Sequence, residues 1–282
     1  MKNIQTVVIA ADQIETQIDA AAAVALAQDA HLDVVCLGLD HSDISYGQAG
    51  SFLSMVQVGV MRATEEATDL RLAVEARLAA QSAPTLRWSA EQLVTMGGML
   101  GFTLQPRLQL ADLVVLQRPS ACLRQGDAAA VLESGLLDAA APVMVVAAGQ
   151  NVRAAAVPRR VVIAWNRSNE AMSAIRAALP LLKAATEVSI AVVDPGATSD
   201  TAPEPGAHLS TMLARHGIGV SVTVLPRTVP SVSAVLSRHL TDFDADLLVM
   251  GAYGHSRLRE ALFGGATKDM LDACPIPVLM AH

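Results

Sequence analysis

The stretch GAYGHSRLREALFGG, residues 251–265, places glycines on both sides of a polar, basic segment. Gly251 and Gly254 open it, Arg257 and Arg259 lie inside it, and Gly264 and Gly265 close it. ADLLVM before it reads as a buried strand, and TKDMLDA after it reads as a helix. A loop entering a helix presents unpaired N–H groups backed by the positive end of the helix dipole, which favours phosphate. Glycine lets the backbone come close to an anion and take up positive φ. Arg257, Arg259 and Lys268 add positive charge. The chemistry is that of a phosphate cradle made from main chain. The same glycines would also serve tight turns, and spacing alone leaves both readings open.

The elements that position this loop recur. TVVIAADQIETQIDAAAAVALAQDAHLDVVCLGLD, residues 6–40, aligns without a gap on RVVIAWNRSNEAMSAIRAALPLLKAATEVSIAVVD, residues 160–194. ADLVVLQ at 111–117 parallels ADLLVMG at 245–251, and APVMVVA at 141–147 parallels IPVLMAH at 276–282. The period is too long for a solenoid and indicates two copies of one domain: residues 1–148, a linker at 149–159, and residues 160–282. In each copy short apolar runs alternate with helical patterns, the signature of a mainly parallel sheet covered on both faces. Strands are expected near 6–10, 32–39, 85–91, 112–117 and 142–147, with helices near 14–29, 52–80, 97–109 and 128–139. In the second copy strands are expected near 161–165, 187–193, 219–225, 246–251 and 277–281, with helices near 168–184, 206–216, 230–242 and 265–273. The fold class is therefore α/β, two tandem Rossmann-like domains of five strands each. DPGATSDTAPEPGA, 194–207, reads as a mobile loop. An unpaired apolar edge is an association hazard, so 142–147 and 277–281 are expected to pair inside the chain or between chains.

The pattern Gly-x2-Gly-x9-Gly at Gly251, Gly254 and Gly264, followed by a small residue and a Pro-Val strand, resembles the universal stress protein family. The resemblance covers the second half, from VVIAWNRS to PIPVLM, and extends less closely to the first, so the whole looks like a tandem universal stress protein of the adenine nucleotide alpha hydrolase-like fold. It implies an adenine-nucleotide site built from the first strand–helix loop, the end of the second strand and the glycine loop. Carried over, Asn166 stands where the family has an Asp, and Val192 lies near the position whose backbone faces the adenine. Gly251, Gly254 and Gly264 fall on the phosphate-loop glycines. Gly265 stands where Ser or Thr is frequent, with Thr267 the nearest hydroxyl, and His255 and Arg257 line the loop. Asn166 lacks the charge with which Asp holds a divalent metal. The implied cofactor is ATP or another adenine nucleotide, with Mg²⁺ a candidate companion ion and no metal ligand assigned.

In the first copy the equivalent stretch is QRPSACLRQGDAAA, 117–130. Gln117 stands opposite Gly251 and Ser120 opposite Gly254, and Pro119 removes a donor. Asp12 keeps a carboxylate in the first loop. This half reads as a degenerate, structural copy.

Other chemistry is set aside. The net charge of −7 argues against a nucleic-acid coat. No stretch approaches the roughly 20 apolar residues that span a bilayer, and MKNIQTVVIAA is no signal peptide, so a cytoplasmic protein is expected. Cys36, Cys122 and Cys274 form neither a CxxC nor a disulfide framework. GGATKDM fails the Walker A order, GIGVSV leads into a strand rather than a helix, and GHSRL lacks the second glycine of a nucleophile elbow. The seven histidines make no HxxxH or HExxH pair. The expectation is a stress-response regulatory protein that binds an adenine nucleotide and is not an enzyme. An interaction module whose glycine loop is only a turn is the alternative, and a slow ATPase the third reading.

Overall fold

The computed structural model describes residues 1–41, 49–81, 85–194, 204–229, 231–253 and 265–282; of 49–56 only the helical backbone is described. The chain divides into two compact units, Met1–Ala141 and Pro142–His282.

The first unit runs β1 (Asn3–Val8), α1 (Asp19–Ala27), β2 (His31–Asp40), α2 (Ala49–Ala80), β3 (Arg87–Met96), α3 (Leu100–Leu108), β4 (Leu113–Gln117) and α4 (Gln125–Glu133). Its strands are parallel, in the order β3-β2-β1-β4. The second runs β5 (Val143–Val146), α5 (Val152–Ala156), β6 (Arg160–Ala164), α6 (Asn169–Ala184), β7 (Glu187–Val193), α7 (Ala207–Arg215), β8 (Ser221–Leu225), α8 (Val232–Asp242), β9 (Leu247–Gly251), α9 (Ala266–Ala273) and β10 (Val278–Ala281). Its order is β8-β7-β6-β9-β10-β5. Third, second, first, fourth is thus the winding in both repeats, counted from β1 and from β6.

The compact division falls ahead of β5. β5 pairs antiparallel with β10, Met144 opposite Leu279 and Val145 opposite Val278. The first unit therefore holds four strands and the second six. Strands 142–147 and 277–281 do pair within the chain, and β10, flanked by β9 and β5, offers no open edge. The expected linker contains α5, whose first turn is capped by Asn151 Oδ1 accepting from the Ala154 amide at 3.1 Å.

The repeat in the sequence is a repeat in hydrogen bonding. The aspartate of ADLVV, Asp112, accepts through its carboxylate from the amides of Lys2 and Asn3, the latter at 3.1 Å. The aspartate of ADLLV, Asp246, accepts from the amides of Arg159 and Arg160 at 2.8 and 3.0 Å. In both repeats the residue before one central strand, β4 or β9, fixes the start of its neighbour, β1 or β6, which sets the register of the pair.

The core suits the composition, 52% hydrophobic but only 3% aromatic. Small residues let helices lie close on a sheet, and α1 buries Ala20, Ala21, Ala22, Val24 and Ala25. On α6, Ala171, Ala174, Ile175, Ala178, Leu181 and Leu182 are buried at helical spacing and form one face. Each fully buried Val, Leu or Ile contributes roughly 1.5–3 kcal/mol before the entropy of ordering is subtracted.

Several boundaries differ from expectation. β3 continues to Met96, because its polar residues are exposed on an edge strand and do not end it. The helix expected at 97–109 opens with a tight turn, Gly97–Met99, before α3. That expected at 128–139 begins at Gln125 and ends in a wide turn, Ser134–Asp138. Most of 194–207 lies outside the described residues.

Candidate nucleotide site

The site expected in the second unit falls at the carboxyl ends of β6, β7 and β9, where ligands bind in open α/β sheets. The loop after β6 is shaped by its own polar residues. Asn166 is exposed, and its Oδ1 accepts from the Ser168 amide at 3.1 Å. Arg167 between them is left-handed, φ 65°. Ser168 then caps α6, its Oγ accepting from the Ala171 amide at 3.1 Å. A serine before an apolar helical pattern is the usual start signal.

Val192 is buried near the end of β7, in register with Val224 of β8. Two residues on, exposed Asp194 turns left-handed, φ 44°, while its amide donates to the Leu225 carbonyl at 3.0 Å.

Gly251 ends β9 against the first turn of α6. A Cβ there would stand 2.5 Å from the Ala171 nitrogen and 2.9 Å from the Glu170 carbonyl carbon. Only glycine allows this approach. Tyr253 follows at φ 58°. Across the loop, Gly265 precedes α9 with φ 112° and ψ −175°, a conformation essentially reserved to glycine. The Tyr253 amide lies 3.5 Å from Thr267 Oγ1, so the stems of the loop meet beside the first turn of α9. α9 has no side-chain cap, whereas α6 and α8 are capped by Ser168 and Ser231. Asp269 holds α9 to α8, accepting from Ser233 Oγ at 2.7 Å.

The structure thus places Asn166, Val192, Gly251, Gly265 and Thr267 along one edge of one sheet. Gly254, His255, Arg257 and Gly264 lie outside the described residues. Sequence reasoning missed Arg167, Asp194 and Tyr253. These three left-handed, non-glycine residues lie one to three positions past the ends of β6, β7 and β9. Neither Arg nor Tyr signals that geometry, since positive φ is enriched chiefly in Gly, Asn and Asp.

The same edge of the first unit is filled by side chains. Asp12 Oδ2 accepts from the Leu123 amide at 2.8 Å, spending the first-loop carboxylate on the turn that replaces the glycine loop. Gln13 Oε1 accepts from the Ile9 amide at 2.8 Å, and its Nε2 reaches Cys122 Sγ at 3.4 Å. Gln17, fully buried, accepts from the Gln117 amide at 2.7 Å and donates to the Val7 carbonyl at 2.7 Å. Arg124 Nε donates to Asp127 at 2.7 Å, its Nη1 reaches the Ile9 carbonyl at 3.3 Å, and its Nη2 lies 2.8 Å from His41 Nε2. A guanidinium therefore covers the end of β1. Burial raises the Cys122 thiol above its ordinary range and keeps it protonated.

A second polar cluster lies inside the second unit. His239 of α8 places Nε2 3.2 Å from Ser189 Oγ on β7 and stacks on Phe243, ring centroids 5.8 Å apart. Burial lowers its pKa below 6.5, and the Asp242 charge offsets this in part. Ser189 is fully buried, which makes this a packing contact rather than an exposed nucleophile.

Among the described residues no group of three or more His, Cys, Asp or Glu could hold a metal ion, and no helix is long and apolar enough to cross a membrane.

The model of the universal stress protein family matches residues 158–282. A universal stress protein of Synechocystis sp. is 33% identical over 96 residues, a match covering 33% of this chain and 32% of that relative's length. A solved universal stress protein from Archaeoglobus fulgidus superimposes with a TM-score of 0.66 at 15% identity, covering 99% of this chain and 96% of the other. A functionally unknown protein from Pseudomonas aeruginosa PAO1 superimposes with a TM-score of 0.56 at 15% identity, covering 99% and 92%. At such identity the structural likeness is one of fold, and the family itself is matched by a single universal stress protein domain, residues 158–282.

Proposed function

We propose that this chain is a stress-response regulatory protein whose second unit binds ATP or a related adenine nucleotide at the carboxyl ends of β6, β7 and β9. The family match over residues 158–282 supports the stress-response part. The observation that carries the nucleotide part is the glycine start of α9. Gly265 stands at φ 112° and brings no side-chain oxygen to the first-turn amides, while the loop stems meet at Tyr253 and Thr267. Such amides, with the helix dipole behind them, suit a phosphate. Arg257 and the glycines 254 and 264 belong to the same reading. Binding changes the loop and through it the partners the protein engages; efficient hydrolysis forms no part of this function.

A second reading has one specific observation in its favour. Gly251 is required by the first turn of α6 whatever the loop binds, as an interaction module without ligand would also require. Titration of ATP against the intact protein, following the thermal midpoint, separates the two, since a ligand of the folded state raises apparent stability. The midpoint rises with ATP in the intact protein and stays still in a Gly254→Val, Gly264→Val variant. An intact protein unmoved by millimolar ATP leaves only the interaction module.

A further inference from the structure

The divalent cation that the family resemblance brings with the nucleotide does not fit the loop after β6. Mg²⁺ at a polyphosphate is ordinarily held by one or two carboxylates beside the phosphate oxygens. Here the first-loop position is Asn166, a neutral amide, and its one acceptor oxygen already takes the Ser168 amide at 3.1 Å. The next residue brings the opposite charge. Arg167 is exposed, stands at φ 65°, and makes no hydrogen bond or ion pair among the described residues. Other arginines are committed to carboxylates, Arg77 to Asp19, Arg107 to Glu91, Arg124 to Asp127 and Arg160 to Asp244.

Left-handed backbone is costly for a long side chain, on the order of 1–3 kcal/mol. The turn closed by Asn166 Oδ1 and the cap made by Ser168 together hold Arg167 there, beside the first turn of α6. Two carboxylates lie at the same edge, Glu170 in that first turn and Asp194 after β7. Neither occupies the first-loop position.

We infer that the second unit binds its nucleotide without a divalent metal, and that Arg167 supplies the counter-charge to the polyphosphate. This rests on the nucleotide reading above. A guanidinium offers paired N–H donors to phosphate oxygens and, unlike a bound ion, is not removed by a chelator.

The test is ATP affinity by isothermal titration in excess MgCl₂ and in EDTA, for the intact protein and for Arg167→Gly and Arg167→Lys. Glycine accepts φ 65° without strain, so Arg167→Gly removes the charge while leaving the turn. Its thermal midpoint without nucleotide checks that the fold is intact. The intact protein is expected to bind within about twofold in the two buffers. Arg167→Gly is expected to bind at least about tenfold more weakly in EDTA, the scale of one charged hydrogen bond, and Arg167→Lys to retain most of the affinity. Asn166→Asp is expected to make binding stronger in MgCl₂ than in EDTA. Binding by the intact protein that disappears in EDTA overturns the inference while leaving the nucleotide reading standing, and Glu170 and Asp194 then become the metal's ligands. Equal affinity of Arg167→Gly and the intact protein overturns it as well. An intact protein that binds no adenylate in either buffer overturns the nucleotide reading and this inference with it.

Discussion

Gly251 and Ala171 meet where β9 ends and α6 begins: a Cβ on the glycine would lie 2.5 Å from the Ala171 nitrogen. Backbone stands on both sides of the contact, so neither side can turn away as a flexible side chain would. Gly251→Ala is therefore expected to destabilise the second unit by about 1–3 kcal/mol, the usual cost of overpacking. Denaturant unfolding measures it directly. Nucleotide affinity should fall with it, because the start of α6 and the end of β9 frame the same site. A variant as stable as the parent would mean that the two backbones part freely.

The first unit has its own critical contact in Gln17. Its side chain serves the Gln117 amide, the Val7 carbonyl and the Thr6 hydroxyl, all inside the core. Gln17→Leu keeps the bulk and removes every one of these bonds. Buried polar groups left without partners cost about 1–3 kcal/mol each, so a loss of about 2–4 kcal/mol is expected. A shift in the urea midpoint at unchanged slope would report it.

Nucleotide stoichiometry follows from how differently the two edges are furnished. Asp12 is spent on the Leu123 amide, and Arg124 lies over the Ile9 carbonyl. Titration calorimetry is expected to give one adenylate per chain. Two equivalent sites would mean that this network opens for a ligand.

His239 gives the pH dependence its sign. Burial lowers its pKa from an ordinary value of 6.5. The folded state thus binds a proton less readily than the unfolded chain does. The neutral ring contributes stability that is fully present above pH 6.5 and is lost as the pH falls through the folded value. His239→Gln should flatten the decline of stability below pH 6.5, and NMR titration of the native ring should give a midpoint under 6.5. A midpoint above it would contradict the burial argument.

The winding and the nature of most elements were legible because period and repeat carry them. VVIA at 161–164 and ADLLVM at 245–250 are apolar runs only a buried strand can use, and Asp112 and Asp246 stood at matching places before matching strands. The end of β3 was hidden because Glu91 and Gln92 look like a break, yet on an edge strand they stay exposed, Glu91 pairing with Arg107 and Gln92 accepting from Arg71. The pairing of β5 with β10, more than a hundred residues on, was legible because two apolar edge strands left open would be an association hazard. At the site, glycine types pointed to Gly251 and Gly265, and the structure supplies a distinct cause for each, contact in one case and φ in the other. The left-handed turn at Arg167 was illegible because nothing about arginine announces it. It follows from the neighbours, Asn166 and Ser168, whose side chains bond the backbone around it.

The antiparallel partnership of Met144 with Leu279 bears on anyone who would cut this protein in two. A fragment opened at residue 149 or 160 looks whole by sequence periodicity, but it strips the flank from Val278, Leu279 and Met280, which are all buried in the intact chain. That raw rim would recruit whatever β-strand it met, a sister fragment first of all, and any dimer so obtained would be an artefact of the scissors. Cleavage ahead of Pro142 keeps β5 and β10 together in one fragment.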